Sequence, residues 1–328
     1  MSVVFGDGVT MFFVLSGFLI GTILIDKSIN HEFRIAELME FWLRRWFRTL
    51  PAYYLVLGII ISLSVLIKNP LPSNIALYAI FSQNVITVHP PFFPEAWSLS
   101  VEEWFYFLVP LAVFIFIARL EHVSRRKALI AFLIGGISAV TAARIQTALT
   151  HDLPDIAAWD LLLRKRVIMR LDSIGFGILG AYCCAYYPKI WNAVRKPLLC
   201  FGLLVCLFEY LETNMWQHAF YRDFFELSVA PIGILLLLPF LTGIRSGRGP
   251  IYRFLTFISK ISYSMYLLHY SLIQLIIIPA LFANVHFYGI AYTEYALYGC
   301  LTISLSYLLF QYYELPMMNR RDKLKLYK

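Results

Sequence analysis

A chain of 328 residues that is 60% hydrophobic and only 15% charged, with mean hydropathy +0.69, carries too little polar surface for a water-soluble fold of its size. Composition therefore excludes an ordinary soluble enzyme and points to an all-α fold, a polytopic transmembrane helical bundle. The net charge of +8 calls for no nucleic acid, because basic loops are attracted to an anionic cytoplasmic leaflet.

Nine stretches approach the ~20 apolar residues that cross hydrocarbon: 8–25, 49–67, 101–118, 127–148, 171–187, 197–211, 228–243, 261–283 and 290–312. A further apolar piece, 73–88, is polar at both ends and reads as a span, a re-entrant hairpin or a surface helix. If it does not cross, the loops 26–48, 119–127, 188–196, 244–260 and 314–328 share one side and hold 21 of the 28 Lys and Arg residues. The positive-inside rule places that side in the cytoplasm. A crossing at 73–88 would scatter the basic loops over both faces. The expectation is nine crossings plus one re-entrant or surface helix, with the amino terminus outside. Because 1–7 is short and has no basic residue, a further span upstream of Met1 is expected. Segment 8–25 reads as a retained helix, lacking the charged leader of a removable signal and placing Ser16 and Gly17 in mid-span.

The run 41–54 interleaves Arg44, Arg45 and Arg48 with Trp42 and Trp46 and ends near Pro51. On a helix, residues three and four apart share a side, so the three guanidinium groups can converge on an anion. Using arginine alone suits bidentate phosphate contacts. The alternative is a positive-inside anchor with an interfacial aromatic belt. Pro51 is expected to mark where the run meets the next span.

Farther on, Glu95 to Tyr106 introduces the third span. Helical spacing puts Ser98, Glu102 and Tyr106 on one face, with Trp97 beside them. The alternative is a capped helix start with acidic residues in its first turn. Arg144 is expected to snorkel to headgroups. Arg170 and Asp172 read as a local pair or as cavity residues, and His269 as packing or a cavity group. Glu314 is expected to pair with a basic loop. The five cysteines show no metal-ligand spacing with histidine, no metal is expected, and phosphate-loop, dinucleotide and nucleophile-elbow patterns are absent.

Taken in order, the stretches 8–18, 44–54, 97–106, 170–177 and 261–269, with 313–316 as a tail, resemble the membrane-bound acyltransferase-3 family, bacterial O-acyltransferases of envelope glycans. The likeness runs nearly end to end and implies a single membrane domain over 1–328, apparently truncated at its amino terminus. It implies transfer of an acyl group, acetyl being the expected one, from cytoplasmic acyl-CoA to a hydroxyl of a sugar or envelope glycan outside. Arg45 and Arg48, with Arg44 beside them, would be the Arg-x-x-Arg pair that holds the CoA phosphates. Trp97, Ser98 and Glu102 would belong to the outward part of the reaction cavity. Glu102 and Ser98 are then the catalytic candidates, and Trp97, Tyr106, Arg170, Asp172 and His269 further cavity candidates. The implied partners are acyl-CoA as a co-substrate, with no tightly bound cofactor, a glycan or lipid-linked sugar acceptor, and the lipids of a bacterial inner membrane.

The sequence departs from the family in two places. Thr10 stands where the family carries Asp, and the sequence starts after the helix that bears the family's basic residue and histidine base. The chain as written is therefore expected to be poorly active or inactive, with Glu102 the remaining base candidate. The alternative class is a non-catalytic transporter or scaffold of glycan export, although the inverted repeats of transporters are not visible.

Overall fold

The computed structural model describes residues 8–29, 34–244, 247–282 and 290–323. Among them no strand occurs, and the long helices are α1 (Gly8–Leu24), α2 (Ile35–Leu66), α3 (Ala96–Ala112), α4 (His122–Thr150), α5 (Leu171–Tyr186), α6 (Arg195–Leu211), α7 (Leu227–Leu241), α8 (Pro250–Leu268) and α9 (Ile290–Leu309). Several continue as π-helical turns, so that eight segments are long and apolar enough to cross a membrane: Gly8–Lys27, Ile35–Leu66, Ala96–Ile117, Ser124–Thr150, Val167–Tyr186, Arg195–Trp216, Ala219–Leu241 and Pro250–Phe282. The protein is a multi-pass membrane protein. The ninth expected stretch is helical as α9 but less apolar, being rich in tyrosine. Pro51 does not interrupt α2, which is helical through the whole arginine run. The run and the following span are therefore one helix, as membrane helices containing proline often are.

The chain forms two compact units, one from Met1–Leu38, Asn84–His89 and Trp97–Ser246, the other from Met39–Gln83, Pro90–Ala96 and Gly247–Lys328. In the first, small residues let backbones meet, the usual means of helix association where lipid removes the hydrophobic drive. A Cβ on Gly17 would fall 1.9 Å from the Ile174 carbonyl oxygen, and one on Gly177 2.1 Å from that of Val14. Ala181 Cβ and Ile178 crowd Gly21 one turn on, so α1 and α5 run parallel, with backbone against backbone at Gly17 and Gly177. Phe13 meets Trp97 edge-on at 6.1 Å, and Ser16 meets Glu102 and Tyr106, so α3 also runs parallel to α1. Arg144, late in α4, reaches Asp172, early in α5, which makes that pair antiparallel.

These directions bear on 73–88. Helices α1 and α3 can run parallel only if one crossing, α2, lies between them, so 73–88 does not cross. It is a six-residue 3₁₀ turn, Ile75–Ile80, closed by Phe81 at φ 54°. In the second unit this turn is tied to α2, where Tyr53 Oη donates to the Tyr78 carbonyl at 2.9 Å and Tyr54 Oη to that of Ala79 at 2.7 Å. Phe81 and Phe93 flank the buried Tyr53 ring.

Candidate functional site

The predicted face of α3 forms, and it is sealed. Trp97 and Ser98 are 4% exposed and Glu102 and Tyr106 1%. The Tyr106 hydroxyl donates to Glu102 Oε1, and Ser16 Oγ lies 3.2 Å from the same oxygen and also bonds to the phenol. A carboxylate, a phenol and a hydroxyl thus share one buried contact. Sequence spacing exposed the two α3 members but missed Ser16. Its only signal was a small polar residue beside Gly17 in an otherwise apolar span. Asn84 was missed too. Fully buried, its amide donates to the carbonyls of Trp97 at 3.1 Å and Lys165 at 2.6 Å, which fixes the start of α3 against the 160s loop.

Arg170 and Asp172 do not pair with each other, because residues two apart on a helix point in different directions. Asp172 instead pairs with Arg144 Nη2 at 2.7 Å, and both side chains are essentially inaccessible. Arg144 also donates to the Met169 carbonyl and to Ser228 Oγ, so it is a buried cross-link between helices and does not snorkel. A buried ion pair persists only when its remaining donors are satisfied in this way. Fully buried, Arg170 donates to Thr10 Oγ1 at 2.6 Å and lies over the Phe13 ring. Residue 10, where the family carries Asp, therefore faces an arginine.

At the end of this unit where α1, α3 and α5 begin there is a cavity of about 430 Å³ with a mostly apolar lining and several polar side chains in its wall. Thr10 forms part of its wall, together with Trp159, Asp160 and Arg164 from the α4–α5 connection and Glu209, Tyr210, Thr213 and Glu226 from the α6–α7 hairpin. Asp160 is bridged by Arg164 at 2.7 Å and Lys165 at 2.5 Å. Arg164 also lies 4.9 Å over the Trp97 ring, so the cavity wall touches the α3 motif directly.

In the second unit the arginine run lies on α2. Arg44 and Arg48 are exposed and Arg45 is half-buried. Arg44 is bound by Glu40, one helical turn earlier, at 2.5 Å. Sequence reasoning overlooked Glu40 although its i, i+4 spacing was the available signal. Glu314 accepts from Ser264 Oγ at 2.5 Å and feels the positive charge of Arg48, a member of the basic segment 26–48 that continues into α2. Glu95, ahead of α3, bonds within this unit: its carboxylate accepts from the Ser271 backbone N–H at 3.0 Å and from Ser271 Oγ at 2.5 Å. Burial pushes its pKa up to about 7. Ser271 lies in the π-helical stretch His269–Ile277, so Glu95 takes up an N–H within the irregular turn that begins at His269. His269 Nδ1 is 2.9 Å from the Tyr266 carbonyl and 3.2 Å from that of Met265. Both partners are acceptors, which assigns the proton to Nδ1 and leaves Nε2 as the basic nitrogen. Among the described residues no group of three or more His, Cys, Asp or Glu side chains could hold a metal ion.

A family model for the acyltransferase-3 type, described as an acyltransferase domain, matches residues 3–311. The chain belongs to the acyltransferase-3 family. It is similar to the peptidoglycan O-acetyltransferase OatA of Listeria monocytogenes, 27% identical over 302 residues, which cover 82% of this chain and 45% of that protein. It is equally similar to the O-acetyltransferase OatA of Staphylococcus aureus, 27% identical over 302 residues, covering 81% and 45%. The chain thus spans about half the length of these curated relatives. No solved structure matches it. For this acyltransferase-3 chain, the matched region takes in both the Ser16–Glu102–Tyr106 contact and the arginine run.

Proposed function

We propose that the protein is a membrane-bound O-acyltransferase that moves an acetyl group from acetyl-CoA, taken up on the cytoplasmic side, to a sugar hydroxyl of an envelope glycan outside. Family membership supports acyl transfer, and the names of the two relatives point to O-acetylation and, in one case, to peptidoglycan. The observation that carries the reading is the buried Glu102 carboxylate, held by two hydroxyl groups beneath Trp97.

In this mechanism the sealed α3 face opens to the acceptor, whose hydroxyl oxygen attacks the thioester carbonyl carbon while its proton passes to the Glu102 carboxylate. The carbon–sulfur bond breaks, the CoA thiolate leaves, and the proton is returned to it. Products are the O-acyl ester and free CoA. Ser16 and Tyr106 orient the carboxylate, and Ser98, one turn before Glu102, is the donor assigned to the developing oxyanion. Arg45 and Arg48 bind the CoA phosphates, since Arg44 is already occupied by Glu40.

Acetyl-CoA binding and acetyl transfer to a soluble glycan fragment, both measured on the protein in lipid nanodiscs, test this reading. Arg45→Ala/Arg48→Ala should weaken acetyl-CoA binding at least about tenfold. Glu102→Gln should leave binding intact and lower transfer by about 10²–10⁴-fold. Undiminished acetyl-CoA binding by the double-arginine variant would reduce those residues to topology anchors. The transfer assay also decides whether residues 1–328 alone are as poorly active as expected.

A further inference from the structure

A second cavity of the first unit, about 460 Å³, lies at the other end of α5, between α5, α6, α7 and the short helix Pro188–Ala193 that joins α5 to α6. We propose that it holds an acyl chain of an anionic phospholipid, whose headgroup phosphate rests on Lys189, Arg195 and Lys196; this site is independent of the acyl-transfer reading. Its size falls in the ~300–1,000 Å³ range of small-molecule sites. No charged side chain lines it. The wall is made by Leu179 and Cys183 of α5, Ile190 and Val194 of the connection, Leu198 of α6 and Leu235 of α7. A Cβ on Gly180 would fall 2.7 Å from Leu235 Cδ1, so α5 and α7 meet there and close one side. Trp191 is also in the wall, but its indole N–H is engaged by Thr242 Oγ1 at 3.1 Å. Such a lining suits hydrocarbon, since a polar ligand would lose its hydration and gain few hydrogen bonds.

Charge decides which amphiphile fits. Segment 173–208, which builds most of the wall, contains Lys189, Arg195 and Lys196 and no Asp or Glu, and segment 227–246, which supplies the rest, has no Asp or Glu either. All three cations are exposed, and among the described residues none of them is in an ion pair. Arg195 follows Val194 of the wall, and a Cβ on Gly243, just past the end of α7, would fall 3.4 Å from its Nη1. The guanidinium therefore stands where α6 begins and α7 ends. Lys189 directly precedes Ile190 of the wall on the short helix. An uncharged lipid, or an apolar helix of another protein, would fill the cavity and leave these cations to water. A phospholipid matches both features, its chain meeting the lining and its phosphate the cations.

Position supports the same ligand. Arg126, early in α4, stacks 4.2 Å over the ring of Tyr186, the last residue of α5, so the basic loops 119–127 and 188–196 gather at this end of the unit. By loop charge this end faces the leaflet that is rich in anionic lipid. Tyr187 and Ile190, at the mouth, are 52% and 61% exposed beside Lys189. Apolar and aromatic groups next to free cations are the pattern of a segment seated at headgroup level.

The test is native mass spectrometry of the protein released from nanodiscs that contain phosphatidylglycerol and phosphatidylcholine of matched chains in equal amounts. Wild type should retain one phosphatidylglycerol and favour it over phosphatidylcholine at least about tenfold. Each Lys or Arg near an anionic lipid strengthens attraction about fivefold, so Lys189→Gln/Arg195→Gln/Lys196→Gln should erase that preference. Ile190→Trp, at an exposed wall position, and Val194→Trp, at a half-buried one, should each lower retention of the lipid at least about tenfold. Arg119→Gln/Lys127→Gln removes exposed charge outside the wall and should leave the preference unchanged. The proposal is overturned by equal retention of the two lipids in wild type, or by undiminished phosphatidylglycerol in both tryptophan variants. It is also overturned if the Arg119/Lys127 variant loses as much preference as the Lys189/Arg195/Lys196 variant, because the attraction would then be diffuse. A dimer that survives delipidation and is abolished by Ile190→Trp would give the cavity to a second copy. Loss of acetyl-CoA binding in the Lys189/Arg195/Lys196 variant, with phosphatidylglycerol still preferred, would assign these cations to the soluble ligand and sink the lipid site.

Discussion

In the first unit Glu102 and Asp172 are 1% and 2% exposed, and each is met by groups from another helix. In the second, Arg44 and Arg48 remain on the exposed part of α2, and Arg44 is paired with Glu40 of the same helix. A sealed charge must be matched by preorganised partners because nothing else offsets its lost hydration. An exposed one stays hydrated, contributes little to the fold, and is available to an anionic ligand.

The sharpest way to break this contrast is to unpair the sealed side. Asp172→Asn should lower unfolding free energy by about 3–5 kcal/mol by leaving Arg144 buried and unmatched, measured by thermal unfolding in nanodiscs. The double replacement Arg144→Met/Asp172→Leu should recover most of that loss, since two apolar groups strand no charge. A wild-type-like Asp172→Asn variant would mean that the pair is not sealed. Next, Gly17→Ala should cost about 1–3 kcal/mol, because the added methyl displaces a backbone carbonyl and not a side chain.

A smaller effect is expected from Glu95, whose raised pKa favours its protonated form in the folded state. Its contribution is complete below its unfolded pKa of about 4.5 and is lost as pH rises through about 7. Wild-type stability should therefore decline across that window, and Glu95→Gln should flatten the profile; identical profiles would show that Glu95 is not buried as described. The least effect belongs to the exposed side. Arg44→Ala should change stability by only about 0–1 kcal/mol and leave acetyl-CoA binding nearly intact, in contrast to Arg45→Ala/Arg48→Ala. A large loss from Arg44→Ala would put it among the ligand contacts.

Features set by spacing along one helix were legible in the sequence: the spans, the Glu102–Tyr106 face, and the loop-charge argument that kept 73–88 from crossing. Partners supplied by other helices were not. Ser16 lies 86 positions from Glu102, and Arg144 lies 28 from Asp172. In a bilayer, lipid-facing and protein-facing apolar stripes have the same composition, so helical periodicity does not reveal which helices meet. That ambiguity made Arg170–Asp172 look like a pair and Arg144 like a headgroup anchor. The cavity was hidden for a related reason: its walls combine the start of α1 with the α4–α5 connection and the α6–α7 hairpin, which lie far apart in the chain.

The contact between α1 and α5 through Gly17 and Gly177 has a mechanical consequence. Where side chains separate two helices, a change of rotamer can alter their spacing; where backbone rests on backbone, no such adjustment exists. At Gly17 and Gly177 this pair is a close-set spine, and movement as substrates come and go is expected first in helices whose contacts are made by side chains.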